Sequence, residues 1–258
     1  MAELNAPAPA SPRRARTLAW VLLGVAAFLV LLVVAAPAGG VARILEASGA
    51  PARLAVPSGR LWSGSAQLYL EGRDLGRLRW DLAPGALLDG QLGADLVLEA
   101  PGHRFRGRAA VGADGRLQLT GVEGEVREAS LDELLRPYAI EPSGTVTFRD
   151  GSATVVDQRV LDAHADARWS GGAVSYALGG QLWRQRFPPL DATLRARDGR
   201  PVLVVRDPAG AELLDVALDA DGWAQLRVRH RFVALAGFPW PEDPAPDTVV
   251  VELAERLY

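Results

Sequence analysis

The sequence predicts a mostly β protein: one N-terminal transmembrane helix, then an antiparallel, hairpin-built sheet domain with one short helix near its middle. Three observations carry this reading. Residues 18–36 form an uncharged apolar run of 19 residues. Beyond Pro51, apolar and polar residues alternate with a period of two, the pattern of strands with one wet face. Asp-Gly, the natural centre of a tight hairpin, occurs five times.

The elements follow in chain order. Residues 1–16 are rich in alanine and proline, carry no apolar periodicity, and read as a short disordered cytoplasmic tail. The apolar run, placed within a span over 17–37, is roughly 28 Å long as a helix, close to the hydrocarbon thickness of a bilayer. Arg13, Arg14 and Arg16 precede it and no comparable cluster follows, so the N-terminus is expected in the cytoplasm and the rest across the membrane. The run is longer than the apolar core of a cleaved signal peptide, which favours an uncleaved anchor. Residues 38–50 are expected as a juxtamembrane stalk, with 41–48 extending the helix until Gly49-Ala50-Pro51 ends it.

The far-side domain then covers 51–258. Leu92, Ala94, Leu96 and Leu98 alternate with Gly93, Asp95, Val97 and Glu99. Val146 and Phe148 alternate with Thr145, Thr147 and Arg149. In 223–232, Ala224, Leu226, Val228, His230 and Phe232 are expected on one strand face and Gln225, Arg227, Arg229 and Arg231 on the other. The Asp-Gly pairs at 89–90, 114–115, 150–151, 198–199 and 221–222 supply the turns. Ser130 with Glu133 makes a capping box, Leu131, Leu134 and Leu135 an apolar stripe, and Pro137 a stop, so a helix is expected over 130–137. A faint repeat pairs Trp62-Ser63-Gly64 with Trp169-Ser170-Gly171, each followed by a further tryptophan, Trp80 and Trp183. It sets halves at 51–140 and 141–258, and the sheet is expected to be duplicated, curved or elongated.

Composition removes several kinds of chemistry. The chain has no cysteine, which excludes disulfides, zinc thiolates, iron–sulfur clusters and cysteine nucleophiles. Every one of the 28 basic residues is arginine, so no phosphate-loop lysine exists. A net charge of −3 without long basic runs argues against nucleic acid. Ser63 lacks the G-x-S-x-G strand–turn–helix elbow of a hydrolase. His103, His164 and His230 share no metal-ligand spacing, and His230 reads as a core residue of its strand. Asp162, His164 and Asp166 alternate and would project from one strand face, where a divalent ion or plain solvation would suit them. The Arg227–Arg229–Arg231 ladder fits a solvated face better than an anionic partner. No catalytic, cofactor or metal residue is assigned, and no enzyme activity is expected. Trp62 and Trp169 are expected to be core anchors of the sheet.

The run Pro51-Ala52-Arg53-Leu54 into Pro57-Ser58-Gly59-Arg60-Leu61-Trp62-Ser63-Gly64-Ser65-Ala66 resembles the type II secretion system protein N family. So do Leu78-Arg79-Trp80-Asp81-Leu82-Ala83-Pro84 and Leu87-Leu88-Asp89-Gly90-Gln91-Leu92. These motifs lie mainly in 51–98, echo at 168–174 and are loosest beyond Arg195. The resemblance implies a bitopic inner-membrane protein with a β-rich periplasmic domain, a non-enzymatic accessory part of that machinery touching its other components. It brings no catalytic residues with it. The competing reading is an AsmA-like or lipopolysaccharide-bridge-like protein, which would hold a lipid in an apolar groove of its sheet.

Overall fold

The computed structural model describes residues 37–47, 52–83, 85, 90–156, 159–178, 180–197, 199–219, 221–241 and 243–256. The expected tail and the apolar run of 18–36 lie outside them. Among the described residues no helix is long and apolar enough to cross a membrane.

The chain builds a meander. After helix α1 (Gly39–Ala47) come β1 (Ala52–Gly59), β2 (Ser63–Leu70), β3 (Arg73–Ala83), β4 (Gln91–Ala100), β5 (His103–Gly112) and β6 (Leu117–Arg127), each antiparallel to the next. Helix α2 (Glu128–Leu135), a 3-10 turn (Arg136–Tyr138) and β7 (Ile140–Pro142) then leave the sheet. It resumes with β8 (Thr145–Val156) and β9 (Arg159–Trp169). The pair β10 (Gly172–Leu178) and β11 (Gln181–Phe187) departs again. β12 (Leu190–Arg197), β13 (Arg200–Arg206), β14 (Glu212–Leu218) and β15 (Trp223–Arg229) continue it, and β16 (Val249–Arg256) follows helix α3 (His230–Leu235). Among the described residues, 13 strands form one sheet in the order β1–β6, β8, β9, β12–β16, and β11-β10-β7 form a second. The mostly β, antiparallel expectation therefore agrees with the structure, and one sheet runs through both sequence halves.

Register turns the two-residue period into a sheet with two different faces. Leu78, Leu98 and Phe105 lie in one row across β3, β4 and β5, and Leu82, Ala94 and Ala109 in another. The alternate positions place Asp81, Asp95 and Arg108 in a row on the opposite face. Two places bury the apolar face. At the β1 end, α1 folds onto the sheet: Ala38 and Ala42 pack with Leu54, Ala66 and Trp80, and Pro37 bridges Arg60. Residues 39–47, expected as part of a stalk, are thus a helical cover of the domain. Further along, the small sheet, α2 and α3 supply the second cover.

Turn chemistry accounts for most of the joints. Glu71-Gly72, with φ of 50° and 80°, closes β2 onto β3 as a two-residue turn of the mirror-image type that matches strand twist. Gly90, Gly115, Gly199 and Gly222 all have positive φ at or beside strand joints, as the Asp-Gly pairs predict; Asp89 and Asp198 lie outside the described residues. Asp150-Gly151 is the exception. It lies inside β8, where the register to β9 shifts between Arg149 and Ser152 and Asp150 has a φ of 53°. The pair makes a bulge here because Val122 of β6 crosses at this point; a Cβ on Gly151 would lie 2.8 Å from the Val122 Cβ.

Two helices correct the sequence reading. α2 begins at Glu128, two residues before the expected cap, with Arg127 at the N-cap and no side-chain cap bond. Ser130 sits inside the first turn, and its hydroxyl lies 3.1 Å from His103 Nδ1. The other ring nitrogen, Nε2, lies 2.9 Å from the Leu75 carbonyl oxygen, which can only accept. In the neutral ring, therefore, Nε2–H donates to Leu75 and Nδ1 accepts from Ser130, so His103 locks α2 to β3 and β5. The second correction is at β15, which ends at Arg229. His230, Arg231 and Phe232 belong to α3, because Phe232, Val233 and Ala236 now follow helical spacing and Gly237, at a φ of 74°, stops the turn.

Candidate functional site

Two glycines at the entry to β10 and two prolines after β11, Gly171-Gly172 and Pro188-Pro189, fence this hairpin out of the meander. Proline cannot donate to a ladder, and Gly171 and Gly172 adopt φ of 76° and 151°, so the chain turns off the main sheet and back onto it. β7 joins β10 through Pro142↔Val174 and Ile140↔Tyr176. The inward side chains of this small sheet, with Leu131 and Leu135 from consecutive turns of α2 and Phe232 from α3, face Val146, Trp169 and Leu190 of the main sheet.

Between them lies a cavity of about 530 Å³. Its walls are apolar, and the few polar groups beside it are already committed. The Trp169 indole N–H donates to the Ser143 carbonyl at 3.0 Å. The Tyr176 hydroxyl donates to the Ala236 carbonyl at 2.7 Å, and burial pushes that phenol above its ordinary pKa. Phe187 bridges the aromatic side, with ring centroids 6.1 Å from Trp169 and 6.0 Å from Phe232. The pocket opens where Tyr138, 70% exposed, stands at its rim.

The opposite face of the main sheet is a lattice of cross-strand ion pairs. Arg108 meets Asp95 at 2.9 Å, Arg106 meets Glu123 at 2.6 Å and Arg168 meets Asp191 at 3.0 Å. The expected arginine ladder belongs to this lattice. Arg227 holds Asp215, which is only 3% exposed, and Arg229 holds Glu212; Arg231, carried onto α3, meets Asp247. Each of these cations already has a carboxylate, so the ladder offers no bare positive face.

Glu212 carries the pH signature of the lattice. The hydrogen bond from Arg229, helped by the charges of Arg229 and Arg206 and opposed by burial, holds its carboxyl below the ordinary value of 4.5. A lowered folded value means stability that is present above the unfolded pKa and lost as pH falls through the folded one. Glu212→Gln is therefore expected to lose less stability than the parent between pH 7 and pH 3 in urea denaturation. Equal losses would show that Glu212 is not coupled to folding.

The other residues singled out in the sequence are placed as follows. Ser63 starts β2 and its carbonyl accepts the Arg60 N–H at 2.9 Å, a turn-to-strand junction with no elbow. Asp162, His164 and Asp166 share a face of β9 opposite buried Ala163, and Asp166 is taken up by Arg195 at 2.6 Å. Among the described residues no three His, Asp or Glu side chains are grouped to hold a metal ion. Trp62 is half-buried in the bend before β2, while Trp80 is the deeply buried indole of that end, 5% exposed, its N–H donating to the Leu61 carbonyl at 2.9 Å. Trp169 is half-buried and forms part of the cavity wall. The two Trp-Ser-Gly kernels open hairpins in different sheets, β2–β3 in the large one and β10–β11 in the small one.

The cavity was not visible in the sequence. Its lining is scattered from Leu131 to Ala236, and alternation within β10 or β11 cannot say what lies opposite. The glycine and proline fences were the available signal. Comparison with curated proteins and with solved structures finds no significant match. The model of the family described as type II secretion system (T2SS), protein N, matches residues 50–240. That stretch runs from the start of β1 to beyond α3 and takes in the small sheet, the large sheet as far as β15 and the cavity, and the chain belongs to the type II secretion system protein N family.

Proposed function

We propose that this chain is a non-enzymatic accessory component of the type II secretion machinery, anchored in the inner membrane through residues 17–37 with a short cytoplasmic tail over 1–16. Residues 38–258 form the periplasmic part, where the long sheet meets other components and supports export of folded proteins across the outer membrane. The observation that carries this reading is the family match over 50–240. The apolar run of 18–36 behind three arginines supports the anchor and its orientation. The sheet suits a scaffold, since long antiparallel ladders are stiff along the strands and present a fixed surface.

A strain lacking the chain is expected to retain type II substrates in its periplasm, and complementation should restore their release to the medium. Normal secretion in the deletion strain overturns the reading. Protease added to spheroplasts should digest nearly all of the chain while the intact form sediments with inner membranes. A mature soluble form starting near residue 37–40 would remove the anchor. Since the protein contains no cysteine, single introduced cysteines give background-free crosslinking to identify the components it touches.

A further inference from the structure

We infer that the cavity beneath the small sheet is a binding site for one acyl chain of an anionic glycerophospholipid, with the outer surface of that sheet resting against the lipid headgroups. At about 530 Å³ the cavity lies within the roughly 300–1,000 Å³ usual for small-molecule sites. Its chemistry selects the occupant. The Trp169 and Tyr176 polar atoms are spent on backbone carbonyls, so the walls have no evident partner for a buried hydroxyl, amide or charge. A polar ligand would lose its hydration with little returned, and water would find too few partners, whereas a hydrocarbon chain loses nothing.

The rim selects the headgroup. Ala177 N–H donates to the Ala139 carbonyl at 3.3 Å and Ala177 pairs with Leu182, so Tyr138, Ala139, Ala177 and Leu182 form one exposed apolar row across the end of the small sheet. Leu182 is 79% exposed, an unusual position for leucine on a strand end. Beside this row Arg184 and Arg186 project outward from β11 and Arg136 from the 3-10 turn, all exposed. Whereas the arginines at the centre of the main-sheet lattice face carboxylates, these three make no ion pair among the described residues; Glu141 is the carboxylate on the outer face of the small sheet. Apolar side chains interleaved with unpaired guanidinium groups are what an anionic lipid surface attracts. Tyr138 and Ala177 belong both to the row and to the cavity wall, so a chain withdrawn from that surface enters the cavity directly.

The test uses the full-length protein in nanodiscs that contain phosphatidylglycerol carrying a diazirine on one acyl chain. Light-induced adducts are expected in peptides covering 131–146 and 169–190, with the phosphatidylcholine analogue labelling them several-fold less. Val174→Trp, which fills the cavity from β10, should lower that labelling at least tenfold while leaving labelling of 18–36 unchanged. Adducts confined to 18–36 overturn the proposal, and so does labelling of the lining peptides that persists in a cooperatively melting Val174→Trp variant. Equal labelling by the two lipids overturns the anionic selectivity. If the variant does not fold, the adduct map of the parent protein decides the matter alone.

Discussion

Trp80→Ala is expected to destabilise the domain by about 3–5 kcal/mol, the usual cost of removing a large buried aromatic side chain. Three contributions converge on this indole. It is 5% exposed and joins the packing of Ala38, Ala42, Leu54 and Ala66, so truncation opens a void beneath α1. Its N–H holds the Leu61 carbonyl at 2.9 Å, and losing that donor leaves a partly buried acceptor unpaired. The ring edge also lies against Gly64, which fixes how β2 enters the sheet. For a domain of this size the melting temperature should fall by roughly 6–20 °C. Trp62→Ala should cost clearly less, because Trp62 is half-buried in the bend, outside the deepest packing. A Trp62→Ala variant less stable than Trp80→Ala would mean that the anchor at this end had been misplaced.

That contrast shows what a single sequence can and cannot specify. The alternation in 91–99 placed Leu92, Ala94, Leu96 and Leu98 on one face correctly, because a period of two fixes the side of a strand without knowledge of its neighbour. Which of several tryptophans lies deepest depends on what is laid over the face, and α1 does this by folding back over Trp80. Local chemistry was ambiguous in the same way at Asp150-Gly151, where turn and bulge ask for the same positive φ and only Val122 on the adjacent strand decides between them. At His230 two periodicities overlap: Leu226, Val228, His230 and Phe232 continue a strand, while Phe232, Val233 and Ala236 begin a helix. The hydrogen bonds from His230 N–H to the Thr248 carbonyl and from Arg231 N–H to the Pro246 carbonyl settle it by tying the start of the helix to the segment that leads into β16. The ion-pair lattice was half legible. The arginines of the ladder were seen, but their carboxylates lie well away in the chain, 12 residues for Arg227 and Asp215 and 17 for Arg229 and Glu212. The cavity needed the whole fold, since its walls come from both sheets, α2 and α3.

The two kernel glycines yield the second large effect, and for different physical reasons. Gly171 has a φ of 76°, and a Cβ there would lie 2.7 Å from the Pro188 carbonyl carbon and the Pro189 nitrogen and 2.8 Å from the Phe187 oxygen. All three are backbone atoms, so nothing nearby can rotate away. Gly171→Ala should therefore carry both the left-handed backbone penalty of about 1–2 kcal/mol and an overpacking cost of about 1–3 kcal/mol, together about 2–5 kcal/mol. Gly64 does not have a positive φ, but its Cβ would meet Trp80 Cζ2 at 2.6 Å and the Arg60 and Ser58 oxygens at 2.9 Å. Part of its penalty therefore belongs to a side chain. Replacing Trp80 with phenylalanine removes the Cζ2 that Gly64 faces, so Gly64→Ala should cost less in the Trp80→Phe background than in the parent, and the pair should be non-additive in a double-mutant cycle. No such relief is available at Gly171, where the obstruction is main chain. Additive costs for Gly64→Ala and Trp80→Phe would show that the two do not touch. A neutral Gly171→Ala would show that the chain between β9 and β10 does not take the turn that lifts the small sheet over the cavity.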